Sequence, residues 1–112
     1  RLAHLRRDIL REEGARKVSI DSIQKAVSDH FDVSLADMSS RRRPANIAFA
    51  RQVAMFLSRR LTRSSLMEIG DAFGGRDHGT VIHAVKKVES KIQADTSVRD
   101  TVDLLDAMLQ RR

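Results

Sequence analysis

The chain has 112 residues, enough for one hydrophobic core but not for two independent ones. Charged side chains make up 32% of it and aromatics only 4%, all phenylalanine, so the core must be built from aliphatic side chains. A formal net charge of +6 favours a polyanionic partner, most simply nucleic acid, while the lack of cysteine excludes disulfides and thiolate metal sites.

Most apolar residues recur at helical rather than alternating spacing, and Pro44 is the sole proline, which predicts an all-α domain. From Leu2 to about Glu13, Leu2, Leu5, Ile9 and Leu10 lie close to one face, and Gly14 supplies a C-terminal stop. That helix lacks the uncharged core of a signal peptide, and no apolar run approaches the ~18 residues of a membrane span, so a cytosolic protein is the economical reading. With Arg1 in place of Met, the chain is expected to be a segment of a longer polypeptide, the leading helix belonging to whatever preceded the domain at 18–112.

Ser19 and Asp21 provide a start for a second helix, in which Ile23, Ala26, Val27 and Phe31 repeat on one face. A short helix from Ser34 to about Ser39 is expected to turn Leu35 and Met38 inward before Arg41-Arg42-Arg43-Pro44 loops the chain. Ala45 to Leu61 is apolar nearly all round, with Ile47, Ala50, Val53, Ala54, Leu57 and Leu61 as its stripe. This marks the central buried helix on which everything else packs. After Ser65, a short helix carrying Leu66, Ile69 and Phe73 ends at Gly74-Gly75. A longer one follows from Asp77, with Val81, Ala84, Val85, Val88 and Ile92 inward. The tail from about Ser97 to Leu109 buries Val98, Val102, Leu105 and Leu109 and turns Asp100, Asp103 and Asp106 outward, an acidic face ill suited to DNA.

Two helices joined by a tight glycine-containing turn form a helix-turn-helix when the second presents polar groups at its amino end. Ser65 to Lys87 supplies these parts, with His78, Thr80, His83, Lys86 and Lys87 opposite the buried stripe. Asp77 can cap that helix, and at such a position it can also accept from cytosine N4; threonine and histidine can contact thymine methyl groups or hydrogen-bond bases. Between Met38 and Glu68 the chain carries seven arginines (41, 42, 43, 51, 59, 60 and 63) and no acid. Such a field neutralises phosphates and releases counterions, and Arg43 is placed to probe a narrow minor groove.

The run IGDAFGGRDHGTV, Ile69 to Val81, closely resembles the signature of the DnaA family. The resemblance extends upstream through VSIDSIQKAVSDHF, the Leu35-Ala36-Asp37 helix, the arginine-rich loop and ARQVAMFLSRRLT, covering roughly residues 18 to 95. It implies the family's C-terminal DNA-binding domain, a compact all-α bundle with a helix-turn-helix similar to that of the Trp repressor, preceded by a connector helix (1–17) from an ATPase module. It further implies binding of double-stranded DNA at DnaA boxes (TTATNCACA-like) of the replication origin. Arg43 then reads minor-groove bases and Asp77, His78 and Thr80 major-groove bases, while Gly79 stands in the same reading segment, where the family commonly has threonine. Arg42, Arg51, Gln52, Arg59, Ser65, Leu66, Arg76, His83 and Lys87 are implied at phosphates or in their support. ATP with magnesium, and contacts with further initiator copies, belong by this resemblance to the ATPase module; no cofactor is expected on this chain, whose place would be the cytoplasm at the nucleoid. Met67 stands at another position where proline is often seen.

Plainer readings exist for each feature. Arginine runs are commonly solvated surface, a Gly-Gly pair after a helix is commonly a C-cap, and methionine and phenylalanine at helical spacing are core. His78 and His83 are five apart rather than the i, i+4 of a helical metal pair, so no metal is assigned. The chain has no cysteine nucleophile, no GxSxG elbow and no GxxxxGK[ST] loop, which argues against an enzyme. Two alternatives remain: an adaptor docking through its basic face to an acidic protein, indifferent to DNA sequence, and a promoter-binding regulator, which would commonly bind palindromes as a dimer.

Overall fold

The computed structural model describes residues 18–111, which form five α-helices and one 3-10 turn. They are α1 (Ile20–Phe31), the turn Leu35–Met38, α2 (Ala45–Leu61), α3 (Leu66–Ala72), α4 (His78–Ala94) and α5 (Thr96–Gln110). The expected connector helix over 1–17 lies outside the described residues.

Local chemistry fixes where these elements begin. Ser19, Ser34 and Ser65 each open an element with a reciprocal cap, in which the serine hydroxyl accepts the third backbone N–H and the third side chain accepts the serine N–H. At α3 the reciprocal bonds are 3.0 Å from Glu68 N to Ser65 Oγ and 2.7 Å from Ser65 N to Glu68 Oε1. Replacing such a cap by alanine typically costs about 1 kcal/mol. Pro44 opens α2 without a side-chain cap, its carbonyl accepting from Ile47 N and Ala48 N. Asp95 ends α4 and caps α5 through Ser97 N, so the two helices share one joint.

Helix α2 touches every other described element, in agreement with its nearly all-round apolar sequence. Val53, Ala54 and Leu57 are fully buried, joined by Ile23 and Val27 from α1, Ile69 from α3, Val81 and Val88 from α4, and Val102 and Leu105 from α5. Each of these valines, leucines and isoleucines contributes roughly 1.5–3 kcal/mol through removal from water. Phe31 and Phe49 add an edge-to-face contact between α1 and α2, with ring centroids 5.6 Å apart.

Two orientations differ from expectation. Leu35 is 55% exposed, because its element is a single 3-10 turn whose buried side is taken by Asp37 and Met38, the latter completely. Asp106 does not face solvent with Asp100 and Asp103. Its side chain is mostly covered and pairs with Arg60 Nε at 3.5 Å, a guanidinium that also stacks over the Phe56 ring where α5 meets α2.

Candidate nucleic-acid interface

The turn between α3 and α4 is set by glycine. The Gly70 carbonyl accepts from Phe73 N, Gly75 N and Arg76 N, the last two at 3.0 and 2.9 Å, which folds the chain back on α3. A side chain at Gly70 would run into the Arg76 carbonyl, so the close approach requires a residue without Cβ. Gly74 and Gly75 then take φ of +88° and +77°, the left-handed region that other residues avoid. Ile69 and Phe73 are fully buried on one side of the turn and Val81 on the other, anchoring both helices. Gln24 of α1 donates its side-chain amide to the Ala72 carbonyl at 3.0 Å, bracing the end of α3.

Asp77 caps α4, accepting from Thr80 N at 2.8 Å. Those bonds from Thr80, backbone first and side chain second, hold the Asp77 carboxyl below its ordinary value, helped by the neighbouring His78. The group is therefore an acceptor at neutral pH while remaining exposed. His78, Gly79, Thr80, His83 and Lys87 are exposed as well, and Thr80, His83 and Lys87 share one face by their i, i+3, i+7 spacing. A Cβ built on Gly79 would find its nearest neighbour, Asp77 Oδ1, at an ordinary 3.5 Å. Nothing in the fold demands glycine there.

The arginine-rich segment divides in two. Arg41, Arg42 and Arg43 are exposed on the loop before α2, with Arg42 Nη1 3.5 Å from Asp37 Oδ1. Arg51 turns inward at 7% exposure. Its Nε donates to the Asp37 carbonyl at 3.0 Å and its Nη2 to the Arg42 carbonyl at 2.9 Å and to Ser40 Oγ at 3.4 Å. Arg76 donates through Nη2 to the Ser40 carbonyl at 2.6 Å and through Nη1 to the Phe73 carbonyl. Burial lowers the pKa of both; Asp37 partly offsets this for Arg51, whereas repulsion from Arg51 and then Arg41 adds to it for Arg76. Both guanidiniums are thus committed to carbonyls of the protein.

Arg59, Ser65, Leu66, Arg76, Asp77 and His78 meet around one open groove between the end of α2 and the first turns of α3 and α4, alongside Met67, Asp71 and Gly75. Arg59 is exposed and donates to the Ser64 carbonyl at 3.2 Å; Ser65 is occupied in its cap, and Leu66 is half-buried. Gln52 is half-buried on α2, next to Arg51, and lies outside that groove. His83 and Lys87 stand further along α4. Sequence reasoning overlooked Gln24 and the Ser39-Ser40 backbone, whose partners are remote in the chain and leave no periodic signal. Among the described residues no three histidines, cysteines or carboxylates gather where they could hold a metal ion.

The chain is similar to known proteins along most of its length. The family model for the bacterial dnaA protein helix-turn-helix matches residues 20–88. The chain is 48% identical over 104 residues to the chromosomal replication initiator protein DnaA of Nitrobacter hamburgensis, covering 93% of this chain and 22% of that protein. It is 48% identical over 103 residues to the DnaA protein of Ehrlichia ruminantium, covering 92% and 22%. A crystal structure of a DNA replication initiation factor superposes with a TM-score of 0.75 at 30% identity, covering 92% of this chain and 32% of the other. The chain therefore spans less than a quarter of the length of these two DnaA proteins.

Proposed function

This chain belongs to the bacterial DnaA helix-turn-helix family, and from that premise we propose that it binds double-stranded DNA at DnaA boxes, TTATNCACA-like sites of the replication origin. The amino end of α4 enters the major groove, where Asp77, His78 and Thr80 face base edges and Gly79 leaves one contact unmade. Arg43 enters the neighbouring minor groove, whose narrow form concentrates negative potential. Arg42, Arg59, His83 and Lys87, with the backbone N–H of Leu66, hold phosphates and so set register. The same protein would assemble with further initiator copies through an ATPase module and work at the nucleoid; in keeping with this, none of the described helices is long and apolar enough to cross a membrane.

The observation that carries this reading is the attachment of the arginine loop to the turn of the helix-turn-helix, by Arg76 to the Ser40 carbonyl and by Gly74 against Ser39. It gives one rigid unit two exposed prongs of different chemistry, as reading two grooves at once requires. Titration of Arg43→Ala and His78→Ala against a box and a random duplex tests it. Each should lose about 1–3 kcal/mol more on the box. Equal losses on both duplexes would leave an adaptor-like binding of acidic surfaces as the better account.

A further inference from the structure

The geometry points to Arg76 and Arg51 as positioning residues that fasten the Ser40–Arg43 loop to the helix-turn-helix, fixing the spacing between the minor-groove and major-groove prongs. This rests on the reading just proposed and adds to it a device that couples its two halves. Arg76 belongs to the turn before α4 yet reaches back across 36 residues of sequence to the Ser40 carbonyl at 2.6 Å, while its other nitrogen holds Phe73 of its own turn. Arg51 secures the other end of the loop, donating to the carbonyls of Asp37 and Arg42, at 3.0 and 2.9 Å. Between them Gly74 lies so close to the Ser39 carbonyl that a Cβ would sit 2.5 Å from it. The chain is held at Asp37, Ser40 and Arg42, and Arg43 follows directly on the last of them.

An arginine that serves a phosphate keeps its guanidinium outward, as exposed Arg41 and Arg42 do. Arg51 is buried, and both it and Arg76 turn donors onto backbone carbonyls that no DNA strand would displace without releasing the loop. Bridging two carbonyls at once needs the planar fork of a guanidinium; an ammonium carries the same charge but not that shape. Charge and fastening can therefore be separated by a single conservative substitution.

The experiment measures Arg76→Lys, Arg51→Lys, Arg43→Ala and the double variant Arg43→Ala/Arg76→Lys for box and random-duplex affinity across a salt series, with 15N order parameters of the loop taken without DNA. Thermal denaturation confirms that each variant is folded. Arg76→Lys should lose roughly tenfold in the box-to-random ratio, the scale of one base contact, and the double variant should lose no more than Arg43→Ala alone. The salt slope of Arg76→Lys should equal that of the parent, because its charge count is unchanged. Order parameters of Arg41 to Arg43 should fall from the rigid value of about 0.85 toward about 0.6. Retention of the parent box preference by Arg76→Lys, additive losses in the double variant, or an unmoved loop would overturn the inference. If Arg43→Ala proves unselective, the base-reading proposal fails, and the loop order parameters alone then decide whether the fastening is real. Should Arg76→Lys unfold, Arg51→Lys is read by the same criteria.

Discussion

Replacing Gly79 with threonine tests the reading segment where the fold itself is indifferent. The site is exposed, helical and open, since a Cβ would meet nothing nearer than Asp77 Oδ1 at 3.5 Å. Gly79→Ala should therefore stabilise the domain, because glycine costs up to ~1 kcal/mol relative to alanine inside a helix. For a domain of this size that is a rise in Tm of at most about 4–8 °C. Gly79→Thr should gain less stability, since the branched side chain restricts its own rotation in a helix. What threonine adds is a methyl and a hydroxyl aimed where bases are proposed to lie, a contact worth roughly 1–3 kcal/mol of discrimination. Fluorescence anisotropy with a box and its single-base variants should show Gly79→Thr sharpening the preference at one position by about 5- to 150-fold. Gly79→Ala, sharing the helix effect but not the hydroxyl, should leave that preference flat. A change in Tm for either variant with no change in base preference for threonine would refute the placement of this segment against base edges. Destabilisation by alanine would refute the openness inferred from the structure.

Gly70→Ala should cost at least about 1–3 kcal/mol in urea denaturation, because the new methyl collides with the Arg76 carbonyl and neither backbone segment is free to yield; unchanged stability would contradict the close approach. The Asp77 carboxyl titrates below its ordinary value, so its contribution is present above the unfolded pKa of about 3.9 and is lost as pH falls through the lower folded value. The Thr80 amide resonance should report that midpoint below pH ~3.9, and a midpoint at or above it would remove the cap from the account. Arg59→Ala and Lys87→Ala should weaken box and random duplexes alike and reduce the salt slope by about 1 each; a loss confined to the box would make them readers of bases instead.

The parts of this protein that its sequence determines are those whose causes lie within a turn or two of chain. Ser19, Ser34, Ser65 and Asp77 cap helices by bonds spanning three residues, and the stripes of α2 and α4 are visible as spacing, so helix boundaries, the buried face and the helix-turn-helix follow from the residues. The arginine field was equally plain, but its division was not. Arg42 and Arg51 look alike in the sequence, yet one is exposed and the other spends its donors on carbonyls. The bond from Arg76 to Ser40 joins residues 36 apart, and that from Gln24 to Ala72 joins residues 48 apart. Leu35 and Asp106 changed sides for related reasons, one limited by a single 3-10 turn and the other drawn in by Arg60 across a helix crossing. A charged side chain is long enough to face water or to reach a distant backbone with little difference in local preference, so its direction is set only when packing brings a partner within reach.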